Sequence, residues 1–189
     1  RLSETDVDMI ELNISCPNVR CGGMSFGVLP SSVEEVTRAA RSHCSKPLIV
    51  KLTPNVSDIA DNARAAENGG ADAVSLINTL TGMAVDVYTR RPVLGNVTGG
   101  LSGPCVKPVA LRMVRQVYKA VSVPVIGLGG ITSARDVLEF MLCGAAAVQV
   151  GTANLSDPLA CADIVNGLTA EMEKCRIDDI NDIVGKLLD

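Results

Sequence analysis

The sequence predicts an α/β fold built on a parallel sheet, and within that class a portion of a (β/α)8 TIM barrel. Short apolar segments alternate with helix-type segments along the whole chain, as expected when helices cover both faces of a parallel sheet. Small or polar residues follow each apolar segment, and a barrel is the fold that gathers functional groups at the carboxyl ends of many strands. The alternative, a doubly wound sheet, usually concentrates its site at one point.

Five segments have the length and apolar composition of buried strands: 8–15, 46–54, 71–78, 123–130 and 145–152. Serine caps, early acids, late bases and glycine stops predict helices, and these segments are 31–44, 56–70, 106–122, 133–144, 157–175 and 179–188. The glycine-rich connection 79–103 separates the third strand from the next helix, and "MAVDVYT" within it has the composition of a short hairpin.

The predicted strand count is lower than that of a closed barrel, which has eight strands and typically about 250 residues. About three βα units are therefore expected before Arg1, and residues 1–189 are expected to be the C-terminal portion of one barrel domain. An arc of this kind has two unpaired edges, so by itself it is expected to self-associate and to bind a ligand weakly. Its inward face would meet water, and the sequence leaves open whether Leu12 and Val50 or their neighbours point inward.

Composition excludes several function classes. A net charge of −4 gives no reason to expect nucleic acid or an anionic membrane as partner, and no apolar run approaches the roughly 20 residues of a membrane span. Seven cysteines without a CxxC pair indicate a reducing cytoplasm. His43 is the one histidine, so no histidine-rich metal site is expected; we predict it at the surface end of a helix. Helix positions predict packing roles for Cys44, Cys143, Cys161 and Cys175.

Two glycine-containing motifs follow consecutive strands near the C-terminus, "GLGGI" (127–131) and "QVGTAN" (149–154). Backbone amides at such turns can bind a phosphate, and glycine allows the phosphate to approach closely. The last two loops of a β/α barrel are its usual phosphate site. Together the motifs favour a phosphate site over simple tight turns, and "GNVTGGLSG" (95–103) adds a third glycine-rich segment suited to contact a flat cofactor.

Three further positions are candidates for chemistry. Lys51 lies in the apolar strand "IVKLTP", where it is either a lysine that extends to solvent or a cation that faces a ligand. Asn78 and Thr79 end the next strand with hydrogen-bonding groups. Cys16, in "NISCPN", is suited to act as a nucleophile or general base if its pKa is lowered, although buried cysteines are usually inert. The role of Cys21 stays open.

Six motifs occur along the chain in this order: "ELNISCPNV", "VKLTPN", "INTL", "GGLSGP", "PVIGLGGI" and "AVQVGTAN". In these motifs and their order the chain resembles the dihydroorotate dehydrogenases, and most of all the NAD-linked class 1B type. The resemblance runs from residue 8 to the C-terminus. It implies an FMN-containing barrel that oxidises dihydroorotate to orotate in pyrimidine biosynthesis. The similar dihydropyrimidine dehydrogenases, the alternative enzyme, carry histidine where Asn18 stands, and class 2 members carry serine in place of Cys16.

The resemblance also implies a role for each candidate. Cys16 would be the catalytic base that removes the C5 proton. Substrate contacts would come from Asn13, Asn18, Asn78 and Thr79. Lys51 would stabilise the anionic reduced flavin. Other flavin contacts would come from Gly100, Ser102 and Gly103, and the phosphate would be bound by Gly129, Gly130, Gly151 and Thr152.

The resemblance implies a homodimer that works with a second subunit, which carries FAD and an iron–sulfur cluster. NAD would be the final electron acceptor. The cysteines of this chain have no spacing that suits cluster ligands. A reading of a different class is a non-catalytic phosphate-binding or assembly module, which flavin absorbance of the purified protein would distinguish from the enzyme.

Overall fold

The computed structural model describes residues 2–16 and 24–188. In chain order, the strands of this part are β1 (Ile10–Asn13), β2 (Leu48–Lys51), β3 (Ala73–Leu76), β4 (Leu80–Gly82), β5 (Val85–Asp86), β6 (Arg91–Pro92), β7 (Gly99–Leu101), β8 (Val125–Leu128) and β9 (Ala145–Gln149). The α-helices are α1 (Met24–Gly27), α2 (Pro30–Arg41), α3 (Ile59–Asn68), α4 (Lys107–Tyr118), α5 (Ala134–Cys143), α6 (Ala153–Ser156) and α7 (Ala160–Cys175).

Five of these strands form one parallel sheet in the order β1-β2-β3-β8-β9. Along the chain, each strand of this sheet is connected to the next by at least one α-helix, which is the usual connection between parallel neighbours. The predicted α/β architecture of βα units, part of a barrel, is thereby confirmed. Within the described residues β1 and β9 each pair with one neighbour only, so they are the two edges of the sheet.

The long connection between β3 and α4 forms two small antiparallel pairs. The hairpin expected around residues 83–89 is present, with β5 paired to β6. The sequence did not predict the second pair, in which β4 lies against β7 and Thr81 is opposite Gly100. This pair folds the connection back over the carboxyl ends of the parallel strands.

The predicted helix 179–188 is wrong. Only Ile180–Ile183 forms a 3-10 turn, which begins at Asp179, where the carboxylate accepts a hydrogen bond from the Asn181 amide. Val184 then adopts an extended conformation and Gly185 has a φ of 72°, so the chain leaves the helical path. Its backbone instead bonds to the end of α5, where the Gly185 amide donates to the Met141 carbonyl at 2.9 Å.

The hydrophobic core lies between the sheet and the helices that cover it. Val50 and Val74 are opposite one another in the register and are fully buried, as is Val114 of α4. Leu12, which pairs with Val50, packs against the same core. Leu12 and Val50 therefore face the helices, which resolves the direction that the sequence left open.

The opposite, inward face of the sheet is more polar. Lys51 and Ser75 are opposite one another in the register, and Glu11 and Gln149 lie on the same face of the edge strands. The Glu11 and Lys51 side chains retain 26% and 18% of their exposure. Because this face is only partly covered within the described residues, it can contact a ligand.

The cysteine predictions have mixed outcomes. Cys143 is buried at the end of α5, and burial raises the pKa of its thiol. Cys161 and Cys175 are exposed on α7, so their predicted packing role is wrong. The residues of α7 that are buried are instead Ala160 and Ile164. His43 is exposed just beyond the end of α2, and its predicted surface position is confirmed.

Within the part of the chain that the structure describes, no cluster of histidine, cysteine and acidic residues could hold a metal ion. No described helix has the length and apolar character needed to cross a membrane.

Candidate active site

A cavity of about 170 Å³ lies at the carboxyl ends of the parallel strands, where the connection 79–103 folds over them. Strands β2, β3, β8 and β9 all contribute to its wall through their own ends or the residues that follow. Nine residues selected from the sequence line it together: Lys51, Asn78, Thr79, Ser102, Gly103, Gly129, Gly130, Gly151 and Thr152.

The Gly129–Gly130 turn after β8 needs glycine for conformational and steric reasons. Their φ angles are +124° and +78°, a region that other residues rarely adopt. A Cβ on Gly130 would lie 2.8 Å from the Gly103 carbonyl oxygen and 2.9 Å from the Lys107 amide nitrogen. The turn therefore packs directly against the loop that contains Gly103, and the two loops form one wall of the cavity.

The cavity wall contains backbone donors that are available to a ligand. In residues 2–16 and 24–188, no protein acceptor takes a hydrogen bond from the amides of Gly130, Gly151 or Thr152. A Cβ built on Gly151 would find no atom within 4 Å, so the space beside it is open. Unpaired amides next to open space are the arrangement that binds the oxygens of a phosphate.

The Asp136 side chain of α5 stabilises the loop that follows the Gly129–Gly130 turn. Its Oδ2 accepts hydrogen bonds from the Thr132 amide at 2.8 Å and the Ser133 amide at 2.9 Å, and its Oδ1 accepts one from Lys107 at 2.5 Å. Burial opposes ionisation of the carboxyl, but these hydrogen bonds, led by that from Lys107, outweigh it and lower the pKa of Asp136 to about 2. Lys107 in turn has a raised pKa because it donates to Asp136 and then to Glu139.

A chain of hydrogen bonds connects the end of β1 to the end of β3. The Asn13 side-chain oxygen accepts from the Ser15 hydroxyl at 2.8 Å, and the Asn78 side-chain amide donates to that hydroxyl at 2.7 Å. The Asn78 oxygen also accepts from the Thr79 amide. Cys16 directly follows Ser15, so this network restrains the backbone from which the Cys16 side chain extends.

Asn55, which the sequence reasoning missed, supports the site without lining the cavity. Its side-chain amide donates to the Thr79 carbonyl at 3.0 Å, and its side-chain oxygen accepts from the Thr81 amide at 2.9 Å. Asn55 thereby fastens β4 to the end of β2. An asparagine straight after the proline that ends a strand, in "KLTPN", is the signal that was available.

Lys51 lines the cavity, and 18% of its side chain stays exposed. Its ammonium nitrogen lies 3.6 Å from Oε1 of Glu11. Sequence reasoning missed Glu11 too, although an acid in the middle of an apolar strand was a visible signal.

Some predicted residues are not on the cavity wall. Among the described residues, Asn13 and Cys16 lie at its β1 side without lining it, and Gly100 is on β7, where a Cβ would lie 2.2 Å from the Thr79 hydroxyl oxygen. Gly100 thus allows β7 to pack against Thr79. Asn18 and Cys21 lie outside the described residues.

The comparison with known protein families decides the family of this chain. The family model described as "Dihydroorotate dehydrogenase" matches residues 1–172. The chain belongs to the dihydroorotate dehydrogenase family. The resemblance carried by the sequence motifs is thereby confirmed.

Several curated members of the dihydroorotate dehydrogenase family are close in sequence. The "Dihydroorotate dehydrogenase B (NAD(+)), catalytic subunit" of Alkaliphilus oremlandii is 57% identical over 187 residues, which is 99% of this chain and 62% of that protein. The protein of the same name from Bacteroides fragilis is 56% identical over 98% of this chain and 62% of its own length. The "Dihydroorotate dehydrogenase A (fumarate)" of Lactobacillus helveticus is 54% identical over 96% and 59%. This chain therefore spans about 60% of the length of these relatives.

A solved dihydroorotate dehydrogenase structure shares the fold. The DHODH of Eimeria tenella in complex with ferulenol superposes with a TM-score of 0.78, over 95% of this chain and 54% of that one, at 24% identity. At this identity the likeness supports the architecture alone. It agrees with an α/β chain that forms part of the family's barrel.

Proposed function

We propose that this chain is the C-terminal portion of a single FMN-binding barrel domain that oxidises dihydroorotate to orotate in de novo pyrimidine biosynthesis. The observation that carries the proposal is the cavity, because one wall holds a lysine and amide side chains and the other holds unpaired backbone amides. A phosphate-bearing cofactor and a polar heterocyclic substrate need these two kinds of wall.

The residues present suit FMN. The amides of Gly130, Gly151 and Thr152 are available for its phosphate, with Gly129 providing the turn. Lys51 would face the pyrimidine edge of the flavin ring, where its charge favours the anionic reduced form. Ser102 and Gly103 line the cavity between these positions and would contact the ring, and Gly100 would support them through Thr79.

The amide side chains at the other end suit the substrate. Dihydroorotate carries ring N–H and C=O groups and a carboxylate. Asn78 and Thr79 line the cavity and can pair with such groups, and Asn13 is bound to Asn78 through Ser15. Asn18 completes the proposed set. The existing hydrogen-bond network would hold the Asn13 and Asn78 side chains in place before the substrate arrives, which lowers the entropic cost of binding.

In the proposed reaction the Cys16 thiolate acts as general base. Its sulfur takes the proton from C5 of dihydroorotate, and the electron pair of that C–H bond becomes the C5–C6 double bond of orotate. Lys51 and the glycine-containing loops would hold FMN, which would supply the acceptor for the hydride from C6. The Asn13–Ser15–Asn78 network fixes the backbone that leads to Cys16, so the base and the substrate contacts share one support.

The electron acceptor belongs to the proposal as well. Two of the relatives are named NAD-linked catalytic subunits, and these names support a separate electron-transfer subunit. The proposal adds that this chain forms a homodimer and that the second subunit carries FAD and an iron–sulfur cluster. The relative named for fumarate is almost as similar, so measuring NAD reduction with the partner subunit present, against direct fumarate reduction, tests this part. A cytoplasmic location accompanies the proposal because the free cysteines favour a reducing compartment.

Cys16→Ala in the full-length protein tests the base assignment. Dihydroorotate should reduce the flavin about 10²–10⁴-fold more slowly in stopped-flow absorbance, because a positioned base contributes that much. Orotate affinity should be retained. Cys161→Ala is the matched control, since this cysteine is exposed on α7 and should leave the rate unchanged. Equal rates for the Cys16 variant and the parent would exclude Cys16 as the base.

A further inference from the structure

Glu11 is an acidic residue in the middle of β1, on the inward face of the sheet. Its Oε2 accepts hydrogen bonds from the Ser75 hydroxyl at 2.8 Å and from the Gln149 side-chain amide at 3.0 Å. Its Oε1 lies 3.6 Å from the Lys51 ammonium nitrogen. The carboxylate of Glu11 on β1 thus contacts side chains from β2, β3 and β9.

Two of these partners also line the candidate active site. Lys51 and Gln149 are both on the cavity wall, and Glu11 contacts both without lining the cavity itself. All three partners of the carboxylate are donors, which is the environment that an ionised acid needs when it is half-buried. Glu11 therefore restrains the Lys51 side chain and places a negative charge beside its positive one.

We propose that Glu11 is a positioning residue that anchors the Lys51 ammonium and partly offsets its charge, and so sets the reduction potential of the flavin. The proposal rests on the proposed function, because it requires FMN in this cavity. It adds a negative charge next to the wall residue Lys51, which the flavin-facing role of Lys51 does not include.

The two charges act on the flavin with opposite signs. Reduction adds negative charge to the ring, so the Lys51 cation favours the reduced form, and an anion beside that cation weakens the effect. Removing the Lys51 charge should lower the potential, whereas removing the Glu11 charge should raise it. A residue that served only to pack the inner face would not raise the potential when replaced.

Glu11→Gln in the full-length protein is the test, because glutamine keeps the shape and can still accept from Ser75. The ratio of the affinities for reduced and oxidised FMN should rise about tenfold, which corresponds to about 30 mV for a two-electron couple. Lys51→Ala should shift the potential in the opposite direction. Glu35→Gln, which removes the same charge from an exposed position on α2, should leave the potential unchanged. Spectroelectrochemical titration measures all three.

A potential that stays unchanged or falls in Glu11→Gln, with FMN bound, overturns this proposal and leaves the proposed function intact. A full-length parent protein that cannot be loaded with FMN overturns both. Glu11→Met is the second variant if the glutamine protein does not fold. It fills a similar volume without charge, and the same rise is expected.

Discussion

Gly130→Ala examines whether the two loops at the cavity wall depend on close backbone contact. Gly130 has a φ of +78° and lies against the loop that contains Gly103. An alanine there must adopt a left-handed conformation. Its methyl group must also occupy space that backbone atoms already fill.

The expected cost follows from these two effects. A non-glycine residue in the left-handed region lowers the unfolding free energy by about 1–2 kcal/mol. The added Cβ would lie 2.8 Å from the Gly103 carbonyl oxygen and 2.9 Å from the Lys107 amide nitrogen, both backbone atoms that cannot rotate away. Overpacking of this kind costs a further 1–3 kcal/mol, roughly. The unfolding free energy should therefore fall by about 3 kcal/mol.

Urea unfolding of the full-length protein, followed by circular dichroism, measures this difference. FMN content should fall in parallel, because the displaced loop carries one of the amides proposed to bind the phosphate. Gly95→Ala is the matched control: no atom lies within 4 Å of its Cβ position, and the change should stay within about 0.5 kcal/mol. If Gly130→Ala is as stable as this control, the close contact between the loops does not contribute as argued.

Two further changes separate binding from stability at the same wall. Gly151→Ala places a methyl group in open space, so stability should stay within about 0.5 kcal/mol. FMN affinity, measured by fluorescence titration, should fall because the methyl group would occupy the proposed phosphate site. Unchanged affinity would show that Gly151 does not contribute to that site. Asp136→Asn should lose stability that depends on pH, because hydrogen bonds lower the pKa of this carboxyl from 3.8 to about 2. This contribution, about 2 kcal/mol, is fully present above the unfolded-state pKa and is lost as the pH falls through the folded one. Urea titrations should therefore show the parent and variant converging from pH 3.8 towards pH 2, and a constant difference would contradict this.

Local sequence determined the order and type of the main elements. Continuous apolar segments flanked by helix signals predicted all five parallel strands, and the capping serine before α5 and the glycine after it set the ends of that helix. The cavity could also be predicted, because parallel strands place their carboxyl ends at one edge. Residues at or after the ends of β2, β3, β8 and β9 that were chosen for their position therefore came together around one cavity.

The tertiary structure alone decided which residues face the ligand side. Strand alternation identifies two faces but does not say which one the helices cover, and only packing shows that Leu12 and Val50 face helices while Glu11 faces inward. The failure of the predicted helix 179–188 has a similar cause, since the backbone at Gly185 bonds to the end of α5. Glu11 and Gln149 are 138 residues apart in the chain. Their contact depends on the curvature of the whole sheet, which no local pattern encodes, because that curvature arises from strand twist and helix packing summed over every unit.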